Sequence, residues 1–221
     1  MTAPDPDEQA RRFAGESLAA ADPTGWFERL YTAAAEGDAV VPWDRGQPQP
    51  LLVEWSAATR PDGRGKRALV VGCGLGDDAE HVAALGYDTV AFDVAETAVR
   101  GAHARYPDSV VDYRTADLLD PPGEWTQAFD LVVESLTVQS LPPPTHPAAI
   151  ANVSRFVAPA GRLLVISFAE GDPFEGPPWP LDRAEIDAFA GTDLVASRVE
   201  QIPHPDDPRV QRWRAEFRHI G

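Results

Sequence analysis

Ala68-Leu-Val-Val-Gly-Cys-Gly-Leu-Gly-Asp77 is an apolar run that breaks straight into three glycines. The run 68–71 has the length and the lack of polarity of a parallel strand buried on both faces. Gly72, Gly74 and Gly76 follow at once, and a helical pattern starts at Asp77. Glycines at such a junction let the chain turn sharply and let a ligand lie against bare peptide groups. Seventeen residues past Gly76, a second apolar run, Thr89-Val-Ala-Phe, ends in Asp93. A carboxylate placed there can accept hydrogen bonds from both hydroxyls of a ribose. The pattern describes a site for an adenosine-containing cofactor.

Spacing selects among such cofactors. Dinucleotide sites use Gly-x-Gly-x-x-Gly, with the pyrophosphate on the helix N-terminus. Counted from Gly72, the third glycine of that pattern would fall at position 77, which is Asp. Asp77 and Asp78 put two carboxylates where a pyrophosphate would sit, which opposes phosphate and favours a cation. S-adenosylmethionine (SAM) has no phosphate and carries a sulfonium and an ammonium group. The glycine turn resembles motif I of the SAM-dependent methyltransferases with a Rossmann-like fold.

The chain around it alternates. Strands are expected at 67–71, 88–92, 110–114, 128–133 and 161–168, and helices at 77–85, 95–105 and 145–156. Such alternation argues for an α/β fold, a Rossmann-like doubly wound sheet that is mostly parallel. A further helix is expected at 181–189, then strands near 193–202 and 209–218. In the last of these, Trp213, Ala215 and Phe217 alternate with charged residues, the period of a strand with one solvated face. One late strand is expected to run antiparallel. Ahead of the core, helices are expected at 7–20, 24–36 and 51–58, the second capped by Thr24 or Asp22. The expected organisation is one domain over 1–221, with an N-terminal helical cover at 1–60 over the cofactor site and a Rossmann-like core at 61–221.

Composition narrows the function classes. The 221 residues carry a net charge of −16. That balance argues against a nucleic-acid partner or an anionic membrane surface, because phosphate binding needs clustered Lys and Arg. One cysteine excludes an intramolecular disulfide and fits a reducing compartment. Residues 1–9 are polar and unlike a signal peptide, and no apolar run approaches the ~20 residues that span a bilayer. The expected location is cytoplasmic. None of His81, His103, His146, His204 and His219 pairs with another at metal-ligand spacing, so no metal is expected. His146 is read as an exposed helix-start residue, with a base near the crevice as the alternative. The sequence sets no oligomeric state.

A second signature, Pro42-Trp43-Asp44-x-Gly46-x-x-x-Pro50, precedes motif I by about 25 residues. It resembles the segment that leads into the thiopurine S-methyltransferase-like enzymes, a group that includes thiol and halide methyltransferases. Tyr87-Asp-Thr-Val-Ala-Phe-Asp-Val-Ala-Glu-Thr-Ala98 is similar to that family's second strand and following helix, and Gly176-Pro-Pro-Trp179 to its substrate-side loop. The resemblance implies a SAM-dependent methyltransferase acting on a small-molecule acceptor, with sulfur (a thiol or thiopurine-like compound) or halide leading. Two alternatives stay open: an O- or N-methyltransferase of a phenolic, quinone or secondary metabolite, and a SAM-binding protein without turnover.

Residue roles follow from both readings. Gly72, Cys73, Gly74 and Gly76 would face the methionine part of SAM, and Asp93 the ribose hydroxyls, with Val94 against the adenine. Cys73 is not read as a nucleophile, since methyl transfer from SAM needs no covalent enzyme intermediate. The resemblance implies that Asp117 accepts from the adenine amino group, with Leu118 packing nearby. Glu134 and Ser135 end the fourth strand, in the crevice where open α/β sheets bind ligands. Trp43 resembles the family tryptophan that shields the cofactor, and Trp179 would line the acceptor pocket.

Overall fold

The computed structural model describes residues 5–169 and 176–221. Two helices come first, α1 (Pro6–Ala19) and α2 (Gly25–Glu36). Asp22 supplies the cap of α2. Its carboxylate accepts from the backbone N–H groups of Thr24 at 3.1 Å and Gly25 at 2.8 Å, while the Thr24 side chain makes no capping bond. Trp26, Phe27, Leu30 and Tyr31, the apolar stripe of α2, are buried. An irregular strap, residues 38–49, leads into α3 (Pro50–Thr59).

The alternating part follows: β1 (Arg67–Val71), α4 (Asp77–Ala84), β2 (Asp88–Asp93), α5 (Glu96–Arg105), β3 (Asp112–Thr115), β4 (Phe129–Ser135), α6 (His146–Arg155) and β5 (Val157–Phe168). A short α7 (Arg183–Asp187) and the hairpin β6 (Leu194–Pro203) and β7 (Gln211–His219) end the chain. One seven-stranded sheet has the order β3-β2-β1-β4-β5-β7-β6. β7 runs antiparallel to both β5 and β6, while the other pairings are parallel. The order reverses between β1 and β4, which opens a crevice at the carboxyl ends of those strands.

Strand periodicity builds two cores. Successive side chains of a strand point to opposite faces. Leu69, Val71, Val90, Phe92, Val132 and Val165 therefore join one buried cluster with Trp26, Phe27 and Leu30 of α2 and Ile150 and Val153 of α6. Ala68, Val70, Ala91, Leu131, Val133 and Leu164 join the other, against Leu51, Leu52 and Trp55 of α3 and Ala79 and Val82 of α4. Burial of this kind contributes about 25 cal/mol per Å² of apolar surface.

Three elements differ from expectation. β5 starts at Val157 rather than near 161, because Val157 pairs with Phe129 before an irregularity that readmits the strand at Arg162. Pro159 and Gly161 hide that start in the sequence, since proline is tolerated in a sheet only at edges and bulges. The expected helix at 181–189 shrinks to α7. Asp182 opens it with a capping box to Glu185, while Leu181 instead pairs as a β-bridge with Ala169. His146 begins α6 but is not exposed. It is 2% accessible, with Nδ1 2.6 Å from Glu185 Oε1 and Nε2 2.8 Å from the Leu141 carbonyl. Nδ1 ties α6 to α7, and Nε2 ties it to the segment that precedes α6.

Candidate active site

The glycine turn after β1 depends on backbone freedom at all three of its glycines, each with a positive φ. Gly72 has φ +60°, and a Cβ there would lie 2.3 Å from Thr137 Oγ1. Gly74 has φ +52°, and a Cβ there would lie 2.9 Å from the Tyr31 hydroxyl. Side-chain-bearing residues reach this left-handed region only with strain. The loop after β4 and helix α2 can therefore close on the turn from two sides. Thr137 completes the contact by donating from Oγ1 to the Val71 carbonyl at 2.9 Å.

These segments enclose a cavity of about 700 Å³ at the carboxyl ends of the strands. On the side of β1, β2 and β3 it is lined by Gly72, Cys73, Gly74, Asp93, Val94, Asp117 and Leu118. On the side of β4 and β5 it is lined by Ser135, Thr137, Gln139, Leu141 and Phe168, with Pro177 and Pro178. α1, α2 and the strap cover it through Ala10, Arg11, Phe27, Tyr31 and Trp43. The turn between β6 and β7 adds His204 and Asp206.

Asp93 is the central polar group. Its Oδ2 accepts from Gly74 N at 2.9 Å and its Oδ1 from Ala95 N at 2.9 Å, so the carboxylate spans the glycine turn and the start of α5. Burial pushes its carboxyl up to about 6, against the pull of those N–H bonds. Each oxygen keeps a further lone pair, and the residue borders the cavity. Asp117 Oδ1 accepts from Leu119 N at 2.8 Å, which fixes the loop after β3 beside the cavity.

The two acids that open α4 have separate duties. Arg105 donates from Nη1 to Asp77 Oδ2 at 2.9 Å, and the Tyr106 hydroxyl donates to Asp77 Oδ1 at 2.6 Å. The same guanidinium forks onto Asp44 of the strap, Nη1 to Oδ1 at 2.9 Å and Nη2 to Oδ2 at 2.8 Å. Arg105 holds the Asp44 carboxyl below its usual range. Asp78 Oδ1 accepts from Gln49 N at 2.7 Å, and burial raises its carboxyl. Asp77 and Asp78 therefore clamp the strap over the turn as well as setting its charge.

Trp43 borders the cavity and also anchors the cover. Its Nε1 donates to the Tyr31 hydroxyl at 2.8 Å, and its ring meets Trp26, Phe27 and Tyr31 edge-on. Three of the expected site residues stand behind the lining. Gly76 packs against Tyr113. Glu134 is fully buried, and its Oε1 accepts from Thr137 N at 2.8 Å and Val138 N at 3.0 Å. Burial pushes its carboxyl up to about 7. Trp179 is not among the described residues that line the cavity. Its ring covers Gly176, and its backbone N–H donates to the Gln139 carbonyl at 2.6 Å.

Sequence reading misses Tyr31, Gln139, Phe168 and His204. Tyr31 reads only as part of an apolar helix face, and His204 sits in a turn that comes near Phe168 only because β7 pairs with β5. Cys73 lines the cavity with its thiol pushed well up by burial, so it is held as a neutral thiol.

The donor set fits SAM. The β1–β3 side offers carboxylates to hydroxyls, an amino group and a cation, and it offers apolar Val94 and Leu118 to a flat base. Arg105, the guanidinium beside the turn, is already committed to Asp44 and Asp77. That pairing leaves Arg105 with no free charge for a pyrophosphate at the turn.

Comparison with known proteins agrees with this chemistry. Residues 68–161 match a methyltransferase domain. Thiocyanate methyltransferase 1 of Arabidopsis thaliana is 28% identical over 79% of this chain and 80% of its own. Probable thiol methyltransferase 2 of the same plant is 24% identical over 93% and 92%. A ubiquinone biosynthesis O-methyltransferase of Xanthomonas oryzae is 34% identical over a shorter span, 56% and 54%. Among solved structures, the N-methyltransferase NodS of Bradyrhizobium japonicum in complex with S-adenosyl-L-homocysteine superposes with TM-score 0.69. It is 20% identical and is covered over 88% of this chain and 100% of its own. A structure described under conversion of a disulfide bond into a thioacetal group during echinomycin biosynthesis also reaches 0.69, at 23% identity over 88% and 93%.

Proposed function

We propose that this chain, a SAM-dependent methyltransferase resembling the thiol methyltransferases, methylates a sulfur atom of a small-molecule acceptor. The observation that carries the reading is the division of one cavity. Its β1–β3 side is rich in carboxylates, while its β4–β5 side combines apolar Leu141, Phe168, Pro177 and Pro178 with uncharged Ser135, Thr137 and Gln139. A soft nucleophile, thiolate or halide, is favoured by water exclusion and needs no strong base beside it. The names of the thiocyanate and thiol methyltransferase relatives support sulfur.

SAM supplies an electrophilic methyl on a sulfonium. Asp93 takes the ribose hydroxyls, and the backbone of Gly72, Cys73 and Gly74 lies along the methionine part, with Gly76 shaping the turn from behind. Val94 and Leu118 flank the adenine, and Asp117 takes its amino group. Trp43 and the strap close over the site and exclude water. Glu134 holds the loop after β4 in place through Thr137 and Val138, and Ser135 faces the acceptor. Trp179 acts through the loop that carries Pro177 and Pro178. The residues hold acceptor and methyl ~3–3.5 Å apart and in line. We place the protein in the thiopurine S-methyltransferase-like group and in the cytoplasm. Among the described residues no helix is long and apolar enough to cross a membrane.

Similarity to the ubiquinone biosynthesis O-methyltransferase favours a second reading, a phenolic oxygen as acceptor. A competition assay separates the two. With SAM held saturating, thiols, thiocyanate, iodide and phenols are offered together. Methyl thioethers or methyl thiocyanate as the main products support the first reading, and methyl ethers alone overturn it.

A further inference from the structure

Two N–H groups on the β4–β5 side of the cavity are fixed in place and lack a protein partner among the described residues. Gln139 is 2% accessible and borders the cavity. Its Oε1 accepts from the Phe168 backbone N–H at 2.6 Å. Only the oxygen end of the amide can accept that bond, so the orientation of the side chain is settled. Its NH2 end then opens on the cavity, and no hydrogen bond to it is made among the described residues. That nitrogen is not among the buried atoms left without a partner, so it is reachable from the cavity and can donate to an acceptor atom placed there.

His204 is the second. Its ring faces the Phe168 ring at 6.2 Å between centroids, and it also borders the cavity. Nδ1 is turned to its own hairpin, where Asp206 N donates to it at 3.3 Å and Asp206 Oδ2 lies 3.9 Å away. A neutral imidazole that accepts at Nδ1 carries its proton on Nε2. Nε2 has no partner among the described residues. One donor is tied to the Phe168 backbone and the other to its ring, so both belong to one place in the fold. That place is set off from Asp93 by β1 and β4, strands spaced about 4.8 Å apart.

We propose that Gln139 and His204 orient the methyl acceptor, donating N–H hydrogen bonds to a lone-pair atom next to its nucleophile. This rests on the sulfur reading above. No sequence motif marks either as a site residue, and the pair sets specificity within one acceptor class. A bare halide has no such neighbouring atom and gains nothing from the pair. An aromatic thiol with an ortho oxygen gains both affinity and alignment.

The test compares 2-methoxybenzenethiol, 2-ethylbenzenethiol and iodide. The first two have the same shape and differ in one lone-pair oxygen. Gln139→Glu keeps an oxygen for the Phe168 N–H and removes the donor, and His204→Phe keeps the ring against Phe168. Each variant should raise KM for 2-methoxybenzenethiol by about 5- to 30-fold. For His204→Phe, KM for 2-ethylbenzenethiol, kcat on iodide and the calorimetric Kd for SAM should stay within about twofold. For Gln139→Glu, whose added charge opposes every anionic acceptor, the ratio of KM for the two thiols carries the reading. His204→Gln should restore part of the loss. Unchanged KM for the methoxy thiol in either folded variant, or equal losses on all three acceptors, overturns the pair. A wild-type protein that binds SAM and methylates phenols but neither thiol overturns the sulfur reading instead.

Discussion

Asp93 carries the most weight of any single residue, and its burial makes the prediction sharp. With a free-state carboxyl near 6, it must lose its proton to accept both ribose hydroxyls in the role proposed for it. SAM affinity should therefore be flat above about pH 7 and weaken below pH 6, by up to about tenfold per unit. Calorimetric titrations at pH 5, 6 and 7.5 measure this, and affinity independent of pH would contradict the assignment. Asp93→Ala should cost about 1–3 kcal/mol of SAM binding. Glu134 titrates with a consequence for the fold. Its carboxyl is raised from 4.5 to about 7 by burial, so the folded chain binds that proton more tightly than the unfolded chain does. The contribution is fully present below pH 4.5 and is lost as pH rises through about 7. Glu134→Gln can still accept from Thr137 N and Val138 N through its oxygen. It should flatten the fall in stability across that window, on the order of 1–3 kcal/mol. Denaturant unfolding at pH 5 and pH 8 reads the difference, and an unchanged slope would count against it.

Among the elements, the strap is the one whose role only the structure reveals. Asp44 reaches Arg105, and Gln49 reaches Asp78, across sequence separations of 61 and 29 residues. Arg105→Met removes the fork from Asp44 and Asp77 while keeping the stem of the side chain. The expected outcome is a SAM Kd raised by about 3- to 20-fold, with thermal stability little changed, because the strap lies outside both apolar clusters apart from Ala39, Val41 and Trp43. Faster amide exchange confined to residues 38–49 would accompany it, and unchanged exchange there would contradict the latch. The strands and helices around the glycine turn are legible because period and punctuation agree: the apolar run 68–71 stops at Gly72, and the next stops at Asp93. The start of β5 and the shortness of α7 are not legible. One is decided by pairing with Phe129, and the other by Leu181 joining Ala169.

For the whole molecule, the same distinction separates the two halves of the cavity. The β1–β3 side is built from residues a few positions past each strand, so local sequence names Asp93, Val94, Asp117 and Leu118. The β4–β5 side is assembled by the sheet order, which folds the β6–β7 turn back onto Phe168 and brings Gln139 and His204 to it. No local pattern marks either residue, and Trp179, which does follow a recognisable turn, supports that wall from behind. The proposed design is a carboxylate-rich half for the methyl donor joined to an uncharged half for the acceptor, in one cavity lined also by α1, α2 and the strap. A single-turnover experiment with methyl-labelled SAM, excess enzyme and an aromatic thiol tests it most directly. The account predicts that the label leaves SAM and appears in the methyl thioether. Label that remains on SAM with the thiol, yet moves to a phenol added in its place, would contradict it.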